Sequence, residues 1–156
     1  MAGVTYTYTP QMGGQARATV DGLNVLPIDY KPGGTNKFGT LSDVALLGKI
    51  PNGALITDWY LNFTTLSEAV VMELVLLATE ASGTYSVYAT LDSSLTASAT
   101  AAITSVGYRP IKVSLSDDRA VQHVVLALNV STGASGTVSF STYGTLKYLT
   151  NGSPIV

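Results

Sequence analysis

The chain has 156 residues, 46% of them hydrophobic and only 12% charged, with a formal net charge of −2 and a pI near 5.1. The eight cations are scattered from Arg17 to Lys147 with no two adjacent, which excludes a sequence-contiguous phosphate-binding patch and makes nucleic acid and anionic membrane unexpected partners. Cysteine is absent, so disulfide and thiolate chemistry are excluded too, and the apolar fraction is too high for a disordered chain.

A chain of this length fits one domain with a sizeable core. Residues 1–37 stand apart from the rest. Tyr6 and Tyr8 alternate with threonines in TYTYT, a pattern that favours extended backbone. The segments MGGQARATVDG and DYKPGG that follow are rich in breakers, and half of the six prolines fall in this part. LNVLPI, residues 23–28, is a poor composition for a solvated tail. We read 1–37 as an extended N-terminal arm that crosses the body or reaches a neighbour, with Tyr6, Tyr8, Leu26 and Ile28 as its contact residues. The first residues lack the basic and apolar regions of a secretory signal.

Residues 38–156 read as a β body. Val44, Leu46 and Ile50 share one parity, Pro51-Asn52-Gly53 is turn chemistry, and Leu55, Trp59, Leu61 and Phe63 then alternate with Asp58, Tyr60 and Asn62. Together they spell a β-hairpin. Segment 69–79, AVVMELVLLAT, is apolar at both parities. A capping-box pattern from Thr65 to Glu68 would allow a helix there, but the pair Val70-Val71 and the length favour a strand covered on both faces. It falls well short of the ~20 apolar residues of a membrane span. Tyr85 to Leu91 alternates; 93–105 is low in complexity and reads as a loop or a helical turn or two. Ile111, Val113 and Leu115 alternate with polar residues, as do Val124, Leu126, Leu128 and Val130 with Val125, Ala127 and Asn129. A last strand spans Thr137–Tyr143, with Val138 and Phe140 inward. About seven strands and no solenoid-length repeat predict an all-β fold closed as a β-sandwich or jelly roll.

Residues able to do chemistry are few. His123, the single histidine, sits on the outward parity of its strand with no Gly-x-Ser-x-Gly elbow nearby. Asp117 and Asp118 precede Arg119 without the oxygen-ligand spacing of a calcium loop. Lys31-Pro-Gly-Gly-Thr35 lacks the ending of a phosphate loop. The tripeptides at Asn62, Asn129 and Asn151 match a glycosylation acceptor by chance, the first two lying inside predicted strands. No catalytic residue, metal site or cofactor is expected. Trp59 shares the core parity, whereas Tyr60 and Tyr88 point the other way and are contact candidates.

The stretch FGTLSDVALLGKIPNGALITDWYLNF, with its Leu47-Gly48-Lys49-Ile50-Pro51-Asn52-Gly53-Ala54 turn and the following Ile56-Thr57-Asp58-Trp59-Tyr60-Leu61, resembles small structural proteins of tailed-bacteriophage heads. VSLSDDRAVQHVVLALNVSTGASGTVSFSTYG is similar to their closing strands. The resemblance covers about half of the body. It departs at 69–80, where a Glu-containing apolar run replaces a glycine-bearing strand end. It implies a capsid decoration (cement) protein: non-enzymatic, made in the host cytoplasm, located on the capsid surface, partnered with the major capsid protein lattice and with itself as a homotrimer. The alternative is a carbohydrate- or receptor-binding β-sandwich module.

Overall fold

The computed structural model describes residues 5–7, 21–32, 38, 39, 41–64, 69–97, 102–116, 121–133, 138 and 140–151. They form ten strands: β1 (Thr5–Thr7), β2 (Asp21–Tyr30), β3 (Val44–Pro51), β4 (Leu55–Phe63), β5 (Val70–Thr79), β6 (Tyr85–Ala97), β7 (Ile103–Gly107), β8 (Ile111–Lys112), β9 (His123–Thr132) and β10 (Thr142–Asn151). Sheet A has the order β1-β3-β9-β5-β6 and sheet B the order β2-β10-β4-β7, with β8 continuing along β4 beyond β7.

The pairings are nested. β5 pairs with β6, β4 with β7 and β8, β3 with β9, and β2 with β10, all antiparallel. With β7 and β8 counted as one interrupted strand, the eight strands from β2 to β10 pair first with last and so on inward. That wrapping is the eight-stranded jelly roll. β1 lies outside it, adding to the edge of β3 in parallel.

The inner faces of both sheets supply one core, which includes Leu26, Ile28, Leu47, Ile50, Ile56, Trp59, Leu61, Leu74, Leu76, Leu126 and Leu146. One end is filled by an aromatic cluster in which Tyr30, Phe38 and Phe140 meet edge to face, with ring centroids 5.8–6.1 Å apart, and Phe63 leans on Phe140.

Several sequence expectations are corrected. Residues 48–63 are not a hairpin, because β3 belongs to sheet A and β4 to sheet B. The Pro51-Asn52-Gly53 turn, closed by Ala54 N–H donating to the Pro51 carbonyl and with Gly53 at φ +89°, carries the chain across the core. The two apolar faces meet as opposing layers instead of lying side by side. Ile50 does not share a face with Leu46 either. Leu46, paired with Ala127, faces out, and the register shift between Leu46 and Gly48 then brings Ile50, paired with Val124, into the core with Ala45 and Leu47. Residues 93–97 are strand, as are 103–105; Leu91 and Leu95 both reach the core, although register shifts interrupt the alternation between them. Val138 and Phe140 are buried as expected, but the last strand starts only at Thr142 and runs to Asn151.

Residues 69–79 contain strand β5, apolar on both faces because Met72, Leu74 and Leu76 join the core while Val75 and Leu77 are buried on the outward side. Of the segment grouped as an arm, 21–30 is extended and forms a ten-pair ladder with β10. Its Pro27 fits because β2 is an edge strand, where a missing N–H breaks no ladder. Tyr8, Asp117, Asp118 and Gly33 to Thr35 lie outside the described residues.

Candidate interaction surface

With the core shared, the two sheets differ on their outward faces. On sheet A, Leu46, Val75, Leu77, Val125 and Ala127 form a second apolar cluster, each at most 5% exposed, with Val44 packed against it. Their parity is opposite to that of the core residues on the same strands. At its margin Asn129 Nδ2 donates to Glu73 Oε2 at 3.2 Å. This central part of the face is already buried within the chain, whereas Val87, paired beside Leu77 on β6, is 59% exposed.

The outward face of sheet B is open. Register places its residues in four rows across the strands. Asp29, Tyr143, Asn62 and Thr104 form the first row, and Pro27, Thr145, Tyr60 and Val106 the second. Val25, Lys147 and Asp58 form the third, and Leu23, Leu149, Leu55 and Lys112 the fourth. Leu23, Val25, Tyr60, Val106, Tyr143 and Leu149 are each 38–54% exposed. The charges in the middle are paired: Lys147 Nζ lies 4.0 Å from Asp58 Oδ2, and Thr57 Oγ1 donates to Asp58 Oδ1 at 2.8 Å. Thr104 Oγ1 donates to Asn62 Oδ1 at 2.8 Å.

The edges of the same sheet are poor templates for strand addition. β2 carries Pro27 on its open edge, and opposite it the strand along β4 breaks at Tyr108-Arg109-Pro110, between β7 and β8.

The residues expected to make contacts are not brought together. Tyr60 lies exposed at the centre of the open face. Leu26 and Ile28 point the other way, 1% and 3% exposed, so strand β2 presents Leu23 and Val25 outward instead. The Tyr6 backbone pairs opposite Ala45. Tyr88 is on sheet A, where its hydroxyl accepts from Ser114 N–H at 2.9 Å and donates to the Lys112 carbonyl at 3.1 Å, tying β6 to the segment after β8. Trp59 is in the core as expected. Its Nε1 donates to Ser105 Oγ at 3.2 Å, which donates to Asp92 Oδ2 at 2.9 Å, a second tie between the sheets.

His123 opens strand β9 opposite Pro51, half-buried. Burial first, and then the Lys49 charge, hold its pKa below the ordinary value of 6.5. Among the described residues no group of three His, Cys, Asp or Glu is placed to hold a metal ion, and no helix is long and apolar enough to cross a membrane.

Sequence alone missed Leu23, Val25, Val106 and Tyr143. The signal available was apolar character at both parities of 23–28, which marks a strand with apolar residues on each face.

The wrapped topology defines the fold class, an all-β jelly-roll sandwich. No protein-family profile and no curated protein sequence matches the chain. Among solved structures it is similar to infectious bursal disease virus, Gt strain, over 90% of this chain and 34% of that one, at TM-score 0.50 and 12% identity. The Gx strain matches over 88% and 33%, at TM-score 0.52 and 14% identity. A mutant VP2 protein of the same virus, in derived T=1 particles, matches over 83% and 32%, at TM-score 0.51 and 14% identity. The chain spans about a third of the length of these proteins. At such identities the likeness is one of fold, and it is to an animal virus, not a tailed phage.

Proposed function

We propose that the chain is a non-enzymatic structural protein of a virion, one that decorates and stabilises the capsid of a tailed bacteriophage. The observation that carries the proposal is the jelly-roll wrapping, which overlays most of this chain on a protein that forms virus particles. A rigid sandwich with an apolar outward face suits surface contact with a lattice of major capsid protein and with further copies, as a homotrimer. The location that follows is the capsid surface, after synthesis in the host cytoplasm. Strand β1 supports a contribution from an arm within 1–37: main-chain addition of the kind it makes to β3, made instead to a neighbour's β3, would stitch copies together.

The test is mass spectrometry of purified particles of the virus that encodes the chain, with addition of the purified protein to particles lacking it. The chain is expected at a fixed stoichiometry to the capsid protein, and its addition should raise the temperature at which particles open. Absence from purified particles would overturn the proposal. A second reading, a glycan-binding module, draws on Tyr60 and Tyr143, two planar side chains exposed on neighbouring rows of one face. Saturable binding on a glycan array, lost in Tyr60→Ala, would favour it.

A further inference from the structure

We infer that the outward face of sheet B, centred on Tyr60, is the surface through which one copy of this chain packs on another. The inference rests on the structural-protein proposal and adds to it a pairwise contact, face to like face, that joins one trimer to the next and does not itself build the trimer.

Exposure alone does not select the occupant; charge, area and edges do. The inner rows carry one cation and one anion, Lys147 and Asp58, held against each other within the chain. At the margins stand one further acid, Asp29, and one further base, Lys112, on opposite outer strands and in opposite rows. Across these four rows the described side chains are therefore balanced in sign. A nucleic acid or an anionic membrane finds no net attraction there, whereas a second copy meets an equally neutral, apolar surface with no like-charge block to overcome.

The size fits as well. Four strands about 4.8 Å apart and up to about 33 Å long present on the order of 600 Å² in projection. That is close to the roughly 800 Å² that each partner contributes to a standard interface. The exposed side chains supply the central anchors such a contact uses, Tyr60 and Tyr143, with Val25 and Val106 beside them. Pro27 on one edge and the Tyr108-Arg109-Pro110 break on the other hinder sheet-to-sheet extension. Contact through the face is what those edges leave open.

The chain has no cysteine, so a single introduced thiol reports on its own position. The experiment measures solution mass by sedimentation velocity across a concentration series for the full wild-type chain and for Val25→Lys/Tyr60→Lys. Oxidative cross-linking of Val25→Cys, Tyr60→Cys, Val106→Cys and Tyr143→Cys runs alongside, with Val87→Cys, exposed on β6 of the other sheet, as the control. The wild type should self-associate. The double lysine variant should keep its circular dichroism and melting temperature while its dissociation constant rises at least tenfold. At least one face thiol should cross-link faster than Val87→Cys. A wild type that stays monomeric up to the highest concentration overturns the inference, as does an oligomer unaffected by the lysines with no preferential cross-link. Because particle incorporation is measured separately, a monomer found in particles removes this interface and leaves the virion role standing, whereas an oligomer absent from particles does the reverse.

Discussion

Sheets A and B enclose the same core yet treat their other sides in opposite ways. Sheet A hides Val75, Val125 and Ala127 beneath the chain's own atoms, while sheet B leaves Val25, Tyr60 and Tyr143 to solvent. Both outward faces are apolar, so hydropathy does not separate them. What separates them is whether folding itself removes that surface from water. The buried side adds to the stability of the single chain; the open side holds its burial in reserve for a contact between molecules.

The sharpest way to break this contrast is to place the same charge on each side. Val75→Asp, in the buried cluster, should lose about 3–5 kcal/mol or fail to fold, because an unpaired carboxylate would sit in an apolar site. Val25→Asp should stay within about 0.5 kcal/mol of wild type. Urea denaturation followed by circular dichroism, at a concentration where the protein is monomeric, measures both. Equal losses would mean that the outward faces do not differ.

The inner side of sheet B should prove as unforgiving as the covered side of sheet A. A Cβ at Gly144 would lie 1.9 Å from the Tyr60 carbonyl oxygen, a backbone atom that cannot swing away. Gly144→Ala should therefore lose about 3 kcal/mol in the same denaturation assay. A smaller effect, of opposite sign, is expected two residues earlier. Thr142 is fully buried and its Oγ1 has no hydrogen-bond partner among the described residues. Thr142→Val keeps the shape and removes the unsatisfied hydroxyl, so it should gain about 1 kcal/mol, read as a higher urea midpoint.

The smallest effect concerns pH at the rim of sheet A. His123 has its pKa lowered by burial and by Lys49, so the unfolded chain takes up this proton more readily than the folded one. The neutral form's contribution to stability is complete above the unfolded value of about 6.5. It is lost as pH falls below that value toward the lower folded pKa. Melting temperature should decline from pH 7 to 5 more steeply in wild type than in His123→Gln. Parallel profiles would remove His123 as the cause.

Legibility in the sequence followed the regularity of the ladders. Strand β9 was readable almost residue by residue. Val124, Leu126, Leu128 and Val130 face the core, Val125 and Ala127 face out, and no register shift interrupts the pairing with β5 between Met72 and Ala78. Where a shift occurs, the alternation misleads. Leu46 and Ile50 look like companions until the shift after Leu46. Leu55 and Trp59 look alike, yet the irregularity between Lys147 and Tyr148 leaves Ile56 beside Trp59 in the core. Those shifts are set by partner strands far away in the chain, so nothing local records them.

The turn at Pro51-Asn52-Gly53 teaches a related point. Its residues specify a reversal of direction but not whether the next strand lies beside the last or across from it. The same limit applies to the candidate surface. Tyr60 could be singled out because its own strand alternates cleanly from Trp59 to Phe63. Its neighbours Val25, Val106 and Tyr143 come from three other strands, and only the register of the finished sheet sets them in its own row or the adjoining ones.

The nested order of the pairs also dictates a sequence of assembly. β5 and β6 are joined by the short Glu80–Thr84 turn, closed by a backbone bond from Glu80 N–H to the Thr84 carbonyl, whereas β2 and β10 close a loop containing nearly the whole body. Loop-closure entropy grows with the segment enclosed, so the ladder should zip from that turn outward and the long β2–β10 pair should form last. Pulse-labelled hydrogen exchange would show amides of β5 and β6 protected ahead of those of β10. The edge strand that completes the open face is then the final piece laid down, which keeps that face unfinished, and unable to mate, until everything behind it has set.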